Sequence, residues 1–211
     1  FVKIALRVSS PLDLLAHRFN AATIALFVVF MLGYVEKPQL NRRQLWQLLS
    51  VSVFYPLLFF ALQAIGLQYT TASEAGILSA ITPVMTLILA SVMLKERSSF
   101  GQIVGIIVSI AGTCYIFLMS GTAIQGDSML GNILTLLSVL SIVFYYILGR
   151  KINHNYRSMD ITVVMIILAD VVFNVIALGY HMADGTVADY FAPVFDLQFI
   201  YAILYLGVLS S

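Results

Sequence analysis

Apolar residues in this chain come in long unbroken blocks rather than in alternation with polar ones. The blocks run approximately over residues 19–35, 45–67, 75–94, 100–119, 129–149, 161–180 and 197–211. Most reach the roughly 20 residues with which an α-helix crosses a hydrocarbon core about 30 Å thick. Strands of a membrane barrel would show runs of about ten residues with alternating polarity, and these blocks do not alternate. The pattern predicts an all-α polytopic membrane protein in which each block is a spanning helix. The opening FVKIALRV reads as the end of a preceding helix and the last block as the start of another, so the expectation is a piece of a longer protein. No signal peptide, with a basic start and a cleavage site, is recognisable.

Composition agrees. Of 211 residues, 61% are hydrophobic and 10% charged, where a water-soluble domain carries about a quarter charged residues. A net charge of +1 gives no field to hold nucleic acid or another acidic partner. The single cysteine, Cys114, lies inside a block, so no disulfide forms within the chain, and no Cys/His spacing suits a metal. No phosphate-binding glycine loop, nucleotide fingerprint or acyl-transfer motif is present, and the gaps between blocks are too short for an ATPase. No cofactor or metal is expected.

Basic residues in short loops set membrane orientation. Loop 36–44 holds Lys37, Arg42 and Arg43; loop 95–99 holds Lys95 and Arg97; loop 150–158 holds Arg150, Lys151 and Arg157. These alternate loops are predicted to be cytoplasmic, at the plasma (cytoplasmic) membrane. The intervening loops 120–128 and 182–196 lack Lys and Arg, carry Asp127, Asp184, Asp189 and Asp196, and are predicted outside. Lys3, Arg7 and Arg18 flank SSPLDLL, which alternation also places outside; they either turn into the bundle or snorkel to the surface.

Polar residues inside the blocks are the candidates for function. In 75–94, Gly76, Ser79, Pro83, Thr86 and Ala90 share one helical face, with Ile77, Ile81, Val84, Ile88 and Val92 on the others. Pro83 has no N–H, so the carbonyl of Ser79 loses its helical partner and must be satisfied within the protein or by water. The small face therefore meets either a neighbouring helix or an aqueous cavity that Ser79, Thr82, Pro83 and Thr86 would line. Pro56 repeats the theme in 45–67, freeing the carbonyl of Ser52; two neighbouring broken helices suit a transporter.

Asp170 is the one acid deep within a block, and a carboxylate there costs several kcal/mol unless paired, hydrated or protonated. Asn174, Ala177 and His181 follow on its face toward the predicted outer end. Asp170 is either a structural hydrogen-bonder or a substrate or proton site. Glu74 opens a helix after Thr71 and Ser73, as a cap or a substrate contact. Glu96, between Lys95 and Arg97, reads as a salt-bridged surface anchor, and Arg18 beside His17 as an anchor or a cavity residue. Gln63, Tyr55, Tyr145 and Tyr146 would bind substrate or serve packing. Gly101, Gly105, Ser109 and Thr113, spaced by four, would allow close helix approach.

The stretch GLQYTTASEAGILSAITPVMTLILASVMLKER resembles the fourth-helix signature of EamA-type transporters in the drug/metabolite transporter superfamily, through Tyr69, Thr70, Ala72, Ser73, Ala75, Pro83 and Glu96. AHRFNAATIALF, with Arg18 and Phe19, is similar to the second helix of that family. VKIALRVSSPL, FGQIVGIIVSIAGTCYIF and LLSVLSIVFYYILGRKI resemble its first, fifth and sixth, and YAILYLGVLSS its eighth. The resemblance implies part of a ten-helix transporter built from two inverted five-helix repeats, with 1–119 most of the first and 120–211 part of the second. An echo of duplication links SSPLDLLAHRFNAATIALFVVFMLGY to RSMDITVVMIILADVVFNVIALGY, each with an early Asp and a later Leu-Gly-Tyr. It also implies secondary transport, commonly export, of small organic metabolites. The partners expected are a small-molecule solute, the lipid bilayer, a proton or other coupling ion, and a second copy in a homodimer. The alternatives are an integral-membrane enzyme, for which His154, Asp160 and the outer acids are too scattered, and a non-transporting scaffold or sensor.

Overall fold

The computed structural model describes residues 1–34, 40–95, 99–120, 129–152 and 156–209, without the side chains of 114, 116–118, 120, 151, 152 and 209. Regular structure among them is helical throughout. The α-helices are α1 (Val2–Ala5), α2 (Pro11–Met31), α3 (Arg42–Ser52), α4 (Phe59–Tyr69), α5 (Ala72–Ser79), α6 (Thr82–Met93), α7 (Phe100–Ser120), α8 (Met129–Ile152), α9 (Ser158–Asp184), α10 (Val187–Phe191) and α11 (Leu197–Leu204). A π-helical segment, Val53–Leu58, joins α3 to α4, and a 3-10 turn, Ala192–Phe195, follows α10.

Local chemistry places the starts. Ser10 accepts from the Asp13 N–H with Pro11 in the first turn, as N-caps and helix-opening prolines do. Asn41 with Gln44, and Thr71 with Glu74, form reciprocal capping boxes at α3 and α5. Gly185 ends α9 in the left-handed region at φ 69°.

Five helical stretches among the described residues are long and apolar enough to cross a bilayer: Pro11–Met31, Arg42–Tyr69, Ala72–Met93, Met129–Arg150 and Ser158–Asp184. A sixth is added if Val187–Phe195 and Leu197–Val208, bent by 87°, count as one. Large side chains such as Phe27, Ile88 and Val92 lie exposed along these helices. In water that surface would aggregate; in a bilayer it meets lipid. The protein is an all-α polytopic integral membrane protein.

Three expectations change. The second helix starts at Pro11, not near residue 19, so SSPLDLL is a cap and first turns rather than a loop. The apolar block was diluted there by Asp13, His17, Arg18 and Asn20, whose side chains find partners inside the bundle. Arg18 is consequently well within the helix and 2% exposed, so it does not snorkel; Lys3 is half-buried and Arg7 exposed. Second, 182–196 is not a plain loop, because α9 runs to Asp184 and α10 with the 3-10 turn fills most of the rest. Third, the small stripe on α7 does not pack here: a Cβ built on Gly101 or Gly105 meets nothing within 4 Å.

Close approach occurs elsewhere. A Cβ on Gly131 of α8 would lie 2.7 Å from the Gly66 carbonyl oxygen of α4, so these helices meet backbone to backbone. Phe19, Phe60, Phe173 and Ala169 form the main core between α2, α4 and α9. Met85 and Leu89 of α6 pack on Val139, Val143 and Ile147 of α8.

Candidate functional site

Two spans are broken near their middles. In the first, Tyr55 adopts extended backbone (φ −141°, ψ 120°) before Pro56. The Phe54 carbonyl beside this break accepts the Ser141 hydroxyl of α8 at 2.7 Å. In the second, α5 stops at Ser79 and α6 starts at Thr82. The Ser79 carbonyl that Pro83 leaves unpaired accepts the Thr82 hydroxyl at 2.6 Å. That carbonyl is therefore satisfied from its own chain, which meets the need that Pro83 creates.

A cavity of about 450 Å³ opens beside the second break. Thr82, Pro83 and Thr86 of α6 line it, with Gln102 of α7 and Tyr146 and Arg150 of α8. Thr86 donates its hydroxyl to the Thr82 carbonyl at 2.8 Å, so both threonines keep only oxygen lone pairs for the cavity, while Gln102 and Arg150 supply N–H donors. Ser79 is not in the wall; its hydroxyl donates to the Ala75 carbonyl at 2.7 Å. On α6 the lining face includes the small stripe, Pro83, Thr86 and Ala90, flanked by Thr82, Leu87 and Ser91.

A second cavity, about 310 Å³, sits at the first break among Phe19, Tyr55, Pro56, Phe60, Tyr145 and Thr162. Tyr55 and Tyr145 have ring centroids 5.2 Å apart. The Arg18 guanidinium lies 4.0 Å from the Phe60 centroid, a cation–π geometry that offsets part of its burial. Gln63 is half-buried on α4 and lines neither cavity.

The third polar region is the seam between α2 and α9. Asn174 donates to both the Asp170 carboxylate (2.9 Å) and the Asp170 carbonyl (2.8 Å). Facing two acceptors, its nitrogen is fixed on that side. Its oxygen accepts from Tyr190 Oη at 2.7 Å and from Asn20 Nδ2 at 3.1 Å. Nearer the Gly185 end of α9, His181 Nε2 lies 3.0 Å from Asp13 Oδ1 with both side chains buried, and His181 Nδ1 is 2.8 Å from Thr186 Oγ1. Asp170, Asn174 and His181 thus share the α2-facing side, but hydrogen bonds do not run on from Asn174 to His181. Asp13, Asn20, Thr23 and Tyr190 were not singled out from sequence. The first three are seven and three residues apart, one face of α2, and that spacing was the available signal; Tyr190 stands in a segment read as loop.

Glu74 caps: its carboxylate accepts the Thr71 N–H at 3.2 Å and the Thr70 hydroxyl at 2.5 Å. Glu96 lies outside the described residues, as does Arg97.

Comparisons with known proteins bear on the whole arrangement. The EamA-like transporter family matches residues 1–118. The chain is 42% identical over 211 residues to the uncharacterized transporter YcxC of Bacillus subtilis, covering 100% of this chain and 67% of that protein. It is 26% identical over 199 residues to YetK of the same organism, also described as an uncharacterized transporter, covering 92% and 58%. A WAT1-related protein of Arabidopsis thaliana is 27% identical over 230 residues, with 94% and 61% covered. The chain spans 58–67% of the length of these curated relatives. No solved structure matches it. With the family's sequence pattern running over more than half of a bundle of apolar helices, and a relative this similar along the entire chain, the protein belongs to the EamA-like transporter family.

Proposed function

We propose that the intact protein is a secondary transporter that exports small organic metabolites, and that the cavity beside the α5–α6 break is where the solute binds. The observation that carries this reading is the cavity itself. It is about 450 Å³, within the few hundred to about a thousand Å³ of small-molecule sites. It also lies at a discontinuous spanning helix, the place where transporters of this architecture hold solutes. Its walls mix lone-pair oxygens with N–H donors, so they suit a polar organic molecule. Export is the direction that the family resemblance implies.

The two-repeat organisation, 1–119 and 120–211, belongs to the same proposal. The Asp13–His181 and Asn20–Asn174 pairs make α2 and α9 antiparallel, as inverted halves require of equivalent helices.

The test is flux of a metabolite mixture in vesicles holding the intact protein. Thr86→Phe fills the cavity and should abolish flux while insertion is retained. Ile88→Phe, at a position 51% exposed on the same helix, should transport normally. The reverse result would reject this cavity as the solute site.

A further inference from the structure

Thr23 is the outlier of the α2–α9 seam. Its Oγ1 is the one buried side-chain polar atom without a hydrogen-bond partner among the described residues. It stands beside the Asp170 carboxylate, to which Asn174 donates and to which the Thr23 hydroxyl can donate as well. Apart from that carboxylate the buried hydroxyl has no partner among the described residues, and one so placed needs a reason, more so inside a bilayer.

The remaining ionisable groups on this and the packed elements are engaged elsewhere or distant. On α2, Asp13 pairs with His181 of α9, His17 holds the Asp13 carbonyl and stacks on Tyr190, and Arg18 lies on Phe60. Tyr55 of the π-helical segment faces Tyr145 and Phe60. Tyr190 of α10 reaches Asp170 through Asn174, and Asp189 beside it is exposed. Arg42 and Arg43 open α3, and Asp160 meets Arg157 at the start of α9, ten residues before Asp170; Tyr180 and Asp184 are exposed at its other end. No basic side chain pairs with Asp170 among the described residues.

We propose that Asp170 is a proton-binding site in the membrane interior, where the Thr23 hydroxyl donates to the ionised acid and, turned about its C–O bond, accepts the hydrogen of the protonated one. One proton adds to the carboxylate oxygen that Asn174 does not hold, no covalent bond is broken, and the new O–H donates to the Thr23 oxygen. Asn174 continues to donate to Oδ1 in either state. A metal cation fits the same place poorly. It needs about six oxygens, whereas Asn174 turns its nitrogen to the acid and spends its oxygen on Tyr190 and Asn20. The site makes Asp170 the place where a proton gradient would couple to solute movement; that consequence rests on the transport reading, whereas the binding itself does not.

Infrared difference spectroscopy of the intact protein in lipid vesicles, between acid and alkaline buffer without sodium, tests it. A carbonyl stretch of a protonated carboxyl group should appear in acid, vanish in Asp170→Asn and persist in Asp170→Glu. Thr23→Val, which removes the acceptor at nearly constant shape, should move that band to higher frequency. A band that survives in Asp170→Asn, or no titrating band while radioactive sodium binds, would overturn the proposal. An unmoved band in Thr23→Val would overturn the role of Thr23. Solute flux is measured separately on the same vesicles: titration without flux defeats the transport reading and leaves the proton site standing.

Discussion

Arg18 shows what a single side chain must resolve inside a bilayer. Its guanidinium is removed from water, and the described surroundings answer with the faces of Phe60 and Phe19, 4.0 and 5.7 Å from its central carbon. A planar, weakly hydrated cation suits such faces better than an ammonium does. Arg18→Lys should therefore lower stability in detergent by about 1–2 kcal/mol, the size of a desolvated cation–π contact. Thermal unfolding of the purified protein reads this out, and a melting temperature equal to that of the parent would show that charge alone suffices. Thr82 resolves a different problem: its hydroxyl replaces the N–H that Pro83 lacks, so the chain breaks a helix without leaving a bare carbonyl in lipid.

At the scale of elements, glycine has opposite meanings on two helices. On α8, Gly131 lets α4 approach until backbone touches backbone, and a methyl there would strike the Gly66 oxygen and the Thr70 nitrogen, both at 2.7 Å. Backbone atoms cannot swing aside, so Gly131→Ala should cost about 1–3 kcal/mol through overpacking. On α7, a methyl on Gly105 meets open space, and alanine is the better helix former. Size-exclusion profiles after heating should show Gly131→Ala losing its monodisperse peak first and Gly105→Ala matching the parent. Equal behaviour of the two variants would mean that α4 and α8 separate more readily than their contact implies.

For the whole molecule the question is which side each end faces. Antiparallel α2 and α9 fit the alternation of basic loops 36–44, 95–99 and 150–158 with acidic ones. With Cys114 replaced, cysteines at Gln39 and Asn155 should label with impermeant reagent only from the cytoplasm, and one at Thr186 only from outside. Labelling on the opposite sides would invert the orientation and place the Asp13–His181 pair at the inner face.

That the chain spans a membrane as helices is legible in residue order alone, because block length against bilayer thickness is a one-dimensional property. So are the breaks in two helices, because the missing proline N–H acts within four residues. The start of α2 was readable in Ser10 and Pro11 but was hidden by polar residues whose partners lie far along the chain. Those partnerships come from how the helices pack. Asn20 meets Asn174 across 154 residues and Asp13 meets His181 across 168, and the spacing along one helix says nothing of which helix faces it. The partners that α7 and α8 bring to the α6 cavity, and the placement of Thr23 beside Asp170, depend likewise on how helices rotate and cross. That is settled by packing of large against small side chains, not by any local pattern.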